Sequence, residues 1–106
     1  MTLDELYEKM IAKAARISAP PGLRTDIVLD VTGEPPRRWL VRFDAGAVSV
    51  GPPQDGEPDV TVTAGAETLL RVAQRELNPV MAFLTGKIKV KGDSGLLEQL
   101  KHVWPD

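Results

Sequence analysis

Cysteine is absent from the 106-residue chain, and histidine occurs only once, at His102. The first absence excludes disulfides and thiolate metal sites and makes a reducing cytoplasm the simplest location. The second excludes metal centres built from two or three imidazoles. Long apolar runs are also missing: no stretch approaches the roughly 20 residues that a transmembrane helix needs. Near the start, Asp4, Glu5, Glu8 and Lys9 interrupt any secretory pattern. The chain reads as a soluble protein. Nor is there a surplus of positive charge. A net charge of −2 and a pI near 5.4 argue against nucleic acid as a partner and against a general grip on anionic membranes, while leaving room for a local basic patch.

What is present suits one globular domain. Hydrophobic residues at 42% and charged residues at 26% exclude a disordered chain. The length leaves no room for a second core.

Thr2-Leu3-Asp4-Glu5 has the form of a capping box, a hydroxyl followed three residues later by a carboxylate. Behind it Leu3, Leu6, Met10, Ile11, Ala14 and Ile17 recur at helical spacing, which predicts an amphipathic helix to about Ile17. The period then changes to two. Ile27, Leu29 and Val31 form one alternating run, Trp39, Val41 and Phe43 a second, and Ala47 to Val50 a third. Such short spacing predicts an antiparallel meander. A loop rich in Gly and Pro, residues 51–58, leads to a fourth strand with Val60 and Val62 on one face.

Ala66 to Arg75 returns to helical form, and Asn78-Pro79 starts a short further helix, because proline suits the first helical position. That helix, Val80-Met81-Ala82-Phe83-Leu84, is apolar nearly all round and is expected to be enclosed on several sides, by protein or by ligand. Residues 87–91 alternate lysine with Ile88 and Val90, a strand with one greasy and one charged face. Asp93 or Ser94 is placed to cap a last amphipathic helix carrying Leu96, Leu97, Leu100, Val103 and Trp104. The predicted fold is α+β, in the order α-β-β-β-β-α-α-β-α. Its centre is a twisted, largely antiparallel five-stranded sheet with helices mainly on one face.

The sequence offers little chemistry. Gly92-Asp93-Ser94-Gly95 looks like a serine-nucleophile segment, yet no base and orienting acid accompany it, and helix capping accounts for it. His102 near a helix end has no recognisable partner. Asp26 and Asp30 share a strand face and read as a polar rim. Lys87, Lys89 and Lys91 read as protection of a sheet edge, or as contacts for a lipid head group or phosphate. Phosphate-loop, dinucleotide and nucleophile-elbow motifs are absent. No cofactor and no metal site are read, and the chain does not read as an enzyme.

Apolar side chains crowd the stretch after Leu69, and periodicity alone does not separate a solid core from a lined cavity. The residues Pro58-Asp59-Val60-Thr61-Val62-Thr63, followed after a helix by the run Leu77-Asn78-Pro79 through Gly92-Asp93, resemble the sterol-carrier (SCP2-like) lipid-transfer family. Shared features are an Asp-x-Thr-x-Thr strand, an Asn-Pro helix start, an aromatic before a Gly-Lys pair, and a short strand ending in Gly. Trp39 to Gly46 also resembles that family's second strand and turn.

The resemblance implies one lipid-binding domain over residues 1–106, with an apolar tunnel for a fatty acid, acyl-CoA, phospholipid or sterol-like ligand, and no catalysis. The ligand-lining set it implies is Leu70, Val80, Met81, Phe83, Leu84, Ile88, Val90, Leu97, Leu100 and Trp104. Arg71, Arg75, Lys87 and Lys89 are candidates to meet an anionic head group. Transient membrane contact and a homodimer are compatible partners. The alternative is a non-catalytic interaction, dimerisation or accessory module for an enzyme of hydrophobic substrates.

Overall fold

The computed structural model describes residues 1–104, apart from the side chain of Leu97. Helix α1 (Leu3–Ala14) opens on the expected capping box. The Thr2 hydroxyl accepts from the Glu5 amide, and the Glu5 carboxylate accepts in return from the Thr2 amide. The helix ends at Ala14, three residues before the sequence pattern suggests, with Ala15 as its C-cap. Leu6 and Met10 are fully buried beneath it.

Strands β1 (Arg24–Thr32), β2 (Arg37–Asp44) and β3 (Ala47–Gly51) form the antiparallel meander. Residues 52–59 then carry the chain back past β2 and β1, so that β4 (Val60–Gly65) pairs with β1 in parallel. Strand β5 (Ile88–Gly92) closes the far edge antiparallel to β4. The sheet order is β3-β2-β1-β4-β5, a mixed sheet that remains mostly antiparallel.

One face of this sheet is continuous grease. Ile27, Leu29 and Val31 stand beside Trp39, Val41 and Phe43 on one side and beside Val60, Val62 and Ala64 on the other. Strand alternation sends Asp26, Asp30, Arg38, Arg42 and the β5 lysines to the opposite face. There Asp26 takes two hydrogen bonds from the Arg42 guanidinium, at 2.8 and 2.9 Å. Those bonds hold the Asp26 carboxyl below the ordinary aspartate value, with partial burial opposing them. Gln54, from the returning segment, accepts from the same arginine.

The parallel β1–β4 register depends on Asp59. Its carboxylate accepts from the Asp26 amide at 2.8 Å and from the Thr25 hydroxyl at 3.3 Å. Its own amide donates to the Asp26 carbonyl. The first residue of the Asp-x-Thr-x-Thr run is therefore a clamp on the start of the parallel ladder. Gly92 sits at its other side with φ +105°, where a Cβ would overlap the Asp59 carbonyl oxygen. Only glycine fits that position.

Helix α2 (Ala66–Ala73) lies on β4 and β1, burying Leu69, Val72 and Ala73. Helix α3 (Pro79–Leu84) is capped by the Asn78 side chain, which accepts from the amides of Val80 and Met81. Both helices end in Schellman turns. In α3, Lys87 donates to the Ala82 carbonyl and Gly86 to that of Phe83, with Gly86 at φ +78°. In α2, Glu76 donates to Arg71 and Arg75 to Val72. Here Arg75 occupies the left-handed position, at φ +61°. The chain continues into a 3-10 helix (Ser94–His102), capped by Asp93, in place of the expected amphipathic α-helix. Residues three apart eclipse in such a helix, so half-buried Leu100 and fully buried Val103, the next residue in register, share one side.

Of the two enclosures expected for α3, by protein or by ligand, protein supplies little. Only Ala82 is buried, while Val80, Met81, Phe83 and Leu84 are 62%, 54%, 44% and 70% exposed. A six-residue helix at a sheet edge has one neighbour below it and cannot hide apolar side chains that point all round.

Two substitutions test these backbone constraints. Gly92→Ala should destabilise the domain by about 2–4 kcal/mol in urea denaturation, since strain and overlap with the Asp59 backbone add. Arg75→Gly should stabilise it by about 1 kcal/mol by relieving the left-handed penalty. A neutral result at Gly92, or destabilisation at Arg75, would contradict the assignment of these turns.

Candidate functional site

A cavity of about 830 Å³ lies between the apolar sheet face and the helices of the second half. Its floor is Leu29 of β1, Val62 of β4 and Ile88 of β5. Leu29 and Val62 are register partners across the parallel ladder, so their side chains stand together. Leu69 and Val72 of α2 form one wall. Pro79, Val80 and Phe83 of α3 form a second, and Leu100 and Trp104 at the C-terminal end form a third. Ten of the fifteen lining residues are apolar. The remainder are Lys13, Arg75, Asn78, Glu98 and Lys101.

Each polar member of the lining has a physical setting. Lys13, in the last turn of α1, donates to the Trp104 carbonyl at 2.6 Å and ties that helix to the C-terminal end. Lys101 pairs with Glu98 at 3.2 Å. The Asn78 oxygen is occupied in capping α3. Arg75 is projected by its left-handed turn and makes no ion pair among the described residues. Val80 and Phe83 both line the cavity and remain substantially exposed, so the cavity opens to the outside at α3.

Of the ten residues read as ligand-lining, Val80, Phe83, Ile88, Leu100 and Trp104 stand at the cavity wall. Four others stand outside it. Leu70 lies one position, about 100° of helix rotation, from the inward-facing Leu69, and is half-buried. Val90 packs against the core beside Val62. Met81 and Leu84 point to solvent because the Asn78 cap and the Gly86 turn fix which side of α3 faces the sheet. The side chain of Leu97 lies outside those described. Among the arginines and lysines suggested for a head group, only Arg75 reaches the cavity. Leu29, Val62, Leu69 and Val72 also stand at the wall, and the sequence does not single them out because a strand or helix residue covered by a cavity has the same periodicity as one covered by protein.

The other candidates for chemistry have structural partners. His102 lies 3.2 Å from the Gln99 side-chain oxygen and edge-on to Phe43. A smaller polar depression of about 220 Å³ on the sheet includes Arg24, Asp26, Arg42, Asp44 and Asp59. Its charges are engaged with one another or with backbone: Arg42 with Asp26, Arg24 with Asp44, Asp59 with the Asp26 amide. Among the described residues no group of three metal-ligating side chains occurs, and no helix is long and apolar enough to cross a membrane.

Comparison with known proteins places this architecture. Sterol carrier protein 2 of Bos taurus is 34% identical over 76 residues, covering 72% of this chain and 14% of that protein. A hydroxysteroid dehydrogenase-like protein 2 of Xenopus tropicalis is 31% identical over 77 residues, 69% of this chain and 18% of that one. The chain thus spans less than a fifth of the length of either. The solution structure of palmitated SCP2L2 from Aedes aegypti superimposes with a TM-score of 0.76 at 27% identity, over 97% of this chain and 94% of the other. The model of the SCP-2 sterol transfer family matches residues 8–104. The chain belongs to the SCP-2 sterol transfer family.

Proposed function

We propose that this domain is a carrier that holds the hydrocarbon part of a lipid in the cavity between the sheet, α2, α3 and the C-terminal 3-10 helix. The observation that carries the reading is the cavity itself: about 830 Å³, apolar on floor and walls, in a domain of 106 residues. That volume falls within the roughly 300–1,000 Å³ of pockets that enclose small-molecule ligands. Apolar burial is worth about 25 cal/mol per Å² and has no directional preference. Affinity would then come from chain length, and a fatty acid, an acyl-CoA, a phospholipid or a sterol-like molecule would all be admissible cargo. The related mosquito protein, described as palmitated, supports a fatty acyl chain as the first to test. Arg75 is the cation placed to meet a carboxylate or phosphate at the wall. Catalysis is no part of the reading. The cysteine-free composition favours action in the cytoplasm.

A second reading is favoured by the short span that the chain covers in its relatives, 14% of one and 18% of another. A domain of this kind attached to, or working beside, an enzyme would present hydrophobic substrates to it. Cargo binding in the cavity is common to both readings.

Extraction of the purified protein with organic solvent, followed by mass spectrometry, should release fatty-acyl species. Leu100→Glu should weaken binding of a fluorescent fatty acid by at least about ten-fold, because it introduces a carboxylate into an apolar enclosure. Leu84→Glu, outside the wall, should leave that binding unchanged in solution. Absence of extracted lipid together with no binding of the fluorescent probe would overturn the proposal.

A further inference from the structure

The turns that end α2 and α3 are built alike, and they differ in the residue at the left-handed position. In α3 it is Gly86, at φ +78°; in α2 it is Arg75, at φ +61°. Glycine adopts this conformation without penalty, whereas arginine must press its Cβ toward the following carbonyl oxygen. The turn itself asks for no side chain, because the hydrogen bonds of a Schellman turn are made by main chain alone. Strain of this kind gathers at active sites and ligand clamps. It does not mark a site by itself: Ala45, between β2 and β3, also has a positive φ and does not line the cavity. Arg75 combines the strain with a place in the cavity lining.

Charge supplies a second observation. Four of the residues that line the cavity are charged, namely Lys13, Arg75, Glu98 and Lys101. Three of them are committed. Lys13 donates to the Trp104 carbonyl, and Lys101 pairs with Glu98. Arg75 is exposed and makes no ion pair among the described residues. Its neighbour Glu76 is exposed as well and takes no part in the lining. Arg75 also stands on the connection into α3, the helix at which the cavity opens, three residues ahead of the Asn78 cap.

From strain, charge and position together we infer that Arg75 selects the cargo: it holds the oxyanion head of an ionised lipid, carboxylate or phosphate, at the cavity mouth while the hydrocarbon tail lies on Leu29, Val62 and Ile88. The inference rests on the cavity being the lipid site, and it ranks the cargo admitted there. Burial of a tail is non-directional and treats an acid and an alcohol of the same length alike. A guanidinium does not. Its planar fork of N–H donors matches two oxygens of a carboxylate or phosphate and finds no such match in a hydroxyl. Ionised amphiphiles are therefore preferred over neutral cargo, sterol-like molecules included. Because the head stays at an exposed rim, the preference has the modest size of a solvated ion pair.

The test uses the full chain, stripped of lipid, and reads displacement of the uncharged dye Nile red at about pH 8, where carboxyl groups are ionised. Lauric acid, lauryl phosphate and lauryl alcohol share one tail and differ in the head. Arg75→Gln, which keeps a long side chain in the left-handed turn, should weaken lauric acid and lauryl phosphate about five-fold relative to lauryl alcohol. Arg75→Gly should show the same loss of selection together with a higher melting temperature. Arg75→Lys should retain most of the selection. Stability and selection then move in opposite directions, which a purely structural role for Arg75 would not produce.

Equal weakening of all three ligands in Arg75→Gln, or no change in any, would overturn the assignment and leave the carrier reading in place. Loss of selection from Lys101→Gln with none from Arg75→Gln would also overturn it, by moving the head to the C-terminal wall. A loss confined to one of the two anionic ligands would support the assignment and name the head. Failure of the dye and of every ligand to bind the wild type would sink the carrier reading, and the assignment with it.

Discussion

A sheet face that must be covered, and helices too short to cover it, set the terms for this domain. The apolar side of β1, β2 and β4 is broad, and α1 and α2 pack over much of it. Beyond Leu29, Val62 and Ile88 only the six residues of α3 and a 3-10 helix remain, and between them stands a space of about 830 Å³. Were that space sealed and dry, at about 24 cal/mol per Å³ it would cost on the order of 20 kcal/mol. Small domains have only about 5–15 kcal/mol of total stability. The space therefore has to be occupied, by water or by something apolar. Water gains little from walls such as Leu69, Val72 and Leu100, which offer no hydrogen bonds. A hydrocarbon chain is the occupant that the surface chemistry favours.

The backbone devices that hold this space open are the same short runs that stand out in the sequence. Asp59 clamps the parallel start of β4 onto β1 and requires glycine at position 92. Asn78 and Gly86 bound α3 at both ends and so decide which of its side chains look inward. These four residues contribute no surface to a ligand beyond the Asn78 side chain at the wall. Their role is to place the elements that do.

Much of the fold was legible because its signals are local. The Thr2–Glu5 box, the period-two runs of β1 and β2, the Asn78-Pro79 start and the turn at Gly86 each act within a few residues, and each formed. What the sequence does not carry is pairing at long range. Nothing in Val60-Thr61-Val62-Thr63 says that it lies parallel to β1 and next to it, since that depends on Asp59 finding the Asp26 amide. The candidate site suffered from the same limit. Val80 and Phe83 differ from Met81 and Leu84 only in their direction around a helix with no polar face, so composition could not separate wall from exterior. Leu70 was preferred over Leu69 and Val72, although the buried side of α2 is the one that carries the latter pair. The floor residues Leu29 and Val62 show in the sequence only as members of alternating strands, and a cavity leaves no mark on periodicity.

The claim on which the rest depends is that a hydrophobic guest completes the core. A delipidated sample, melted in the presence of increasing long-chain fatty acid, tests it most directly. Ligand that binds only the folded state should raise the melting temperature progressively. At a hundred-fold excess over Kd, where linkage gives about 2.7 kcal/mol, a domain of this size should gain about 10 °C or more. A melting temperature that does not move with fatty acid, in a sample shown to be free of lipid, would contradict the account.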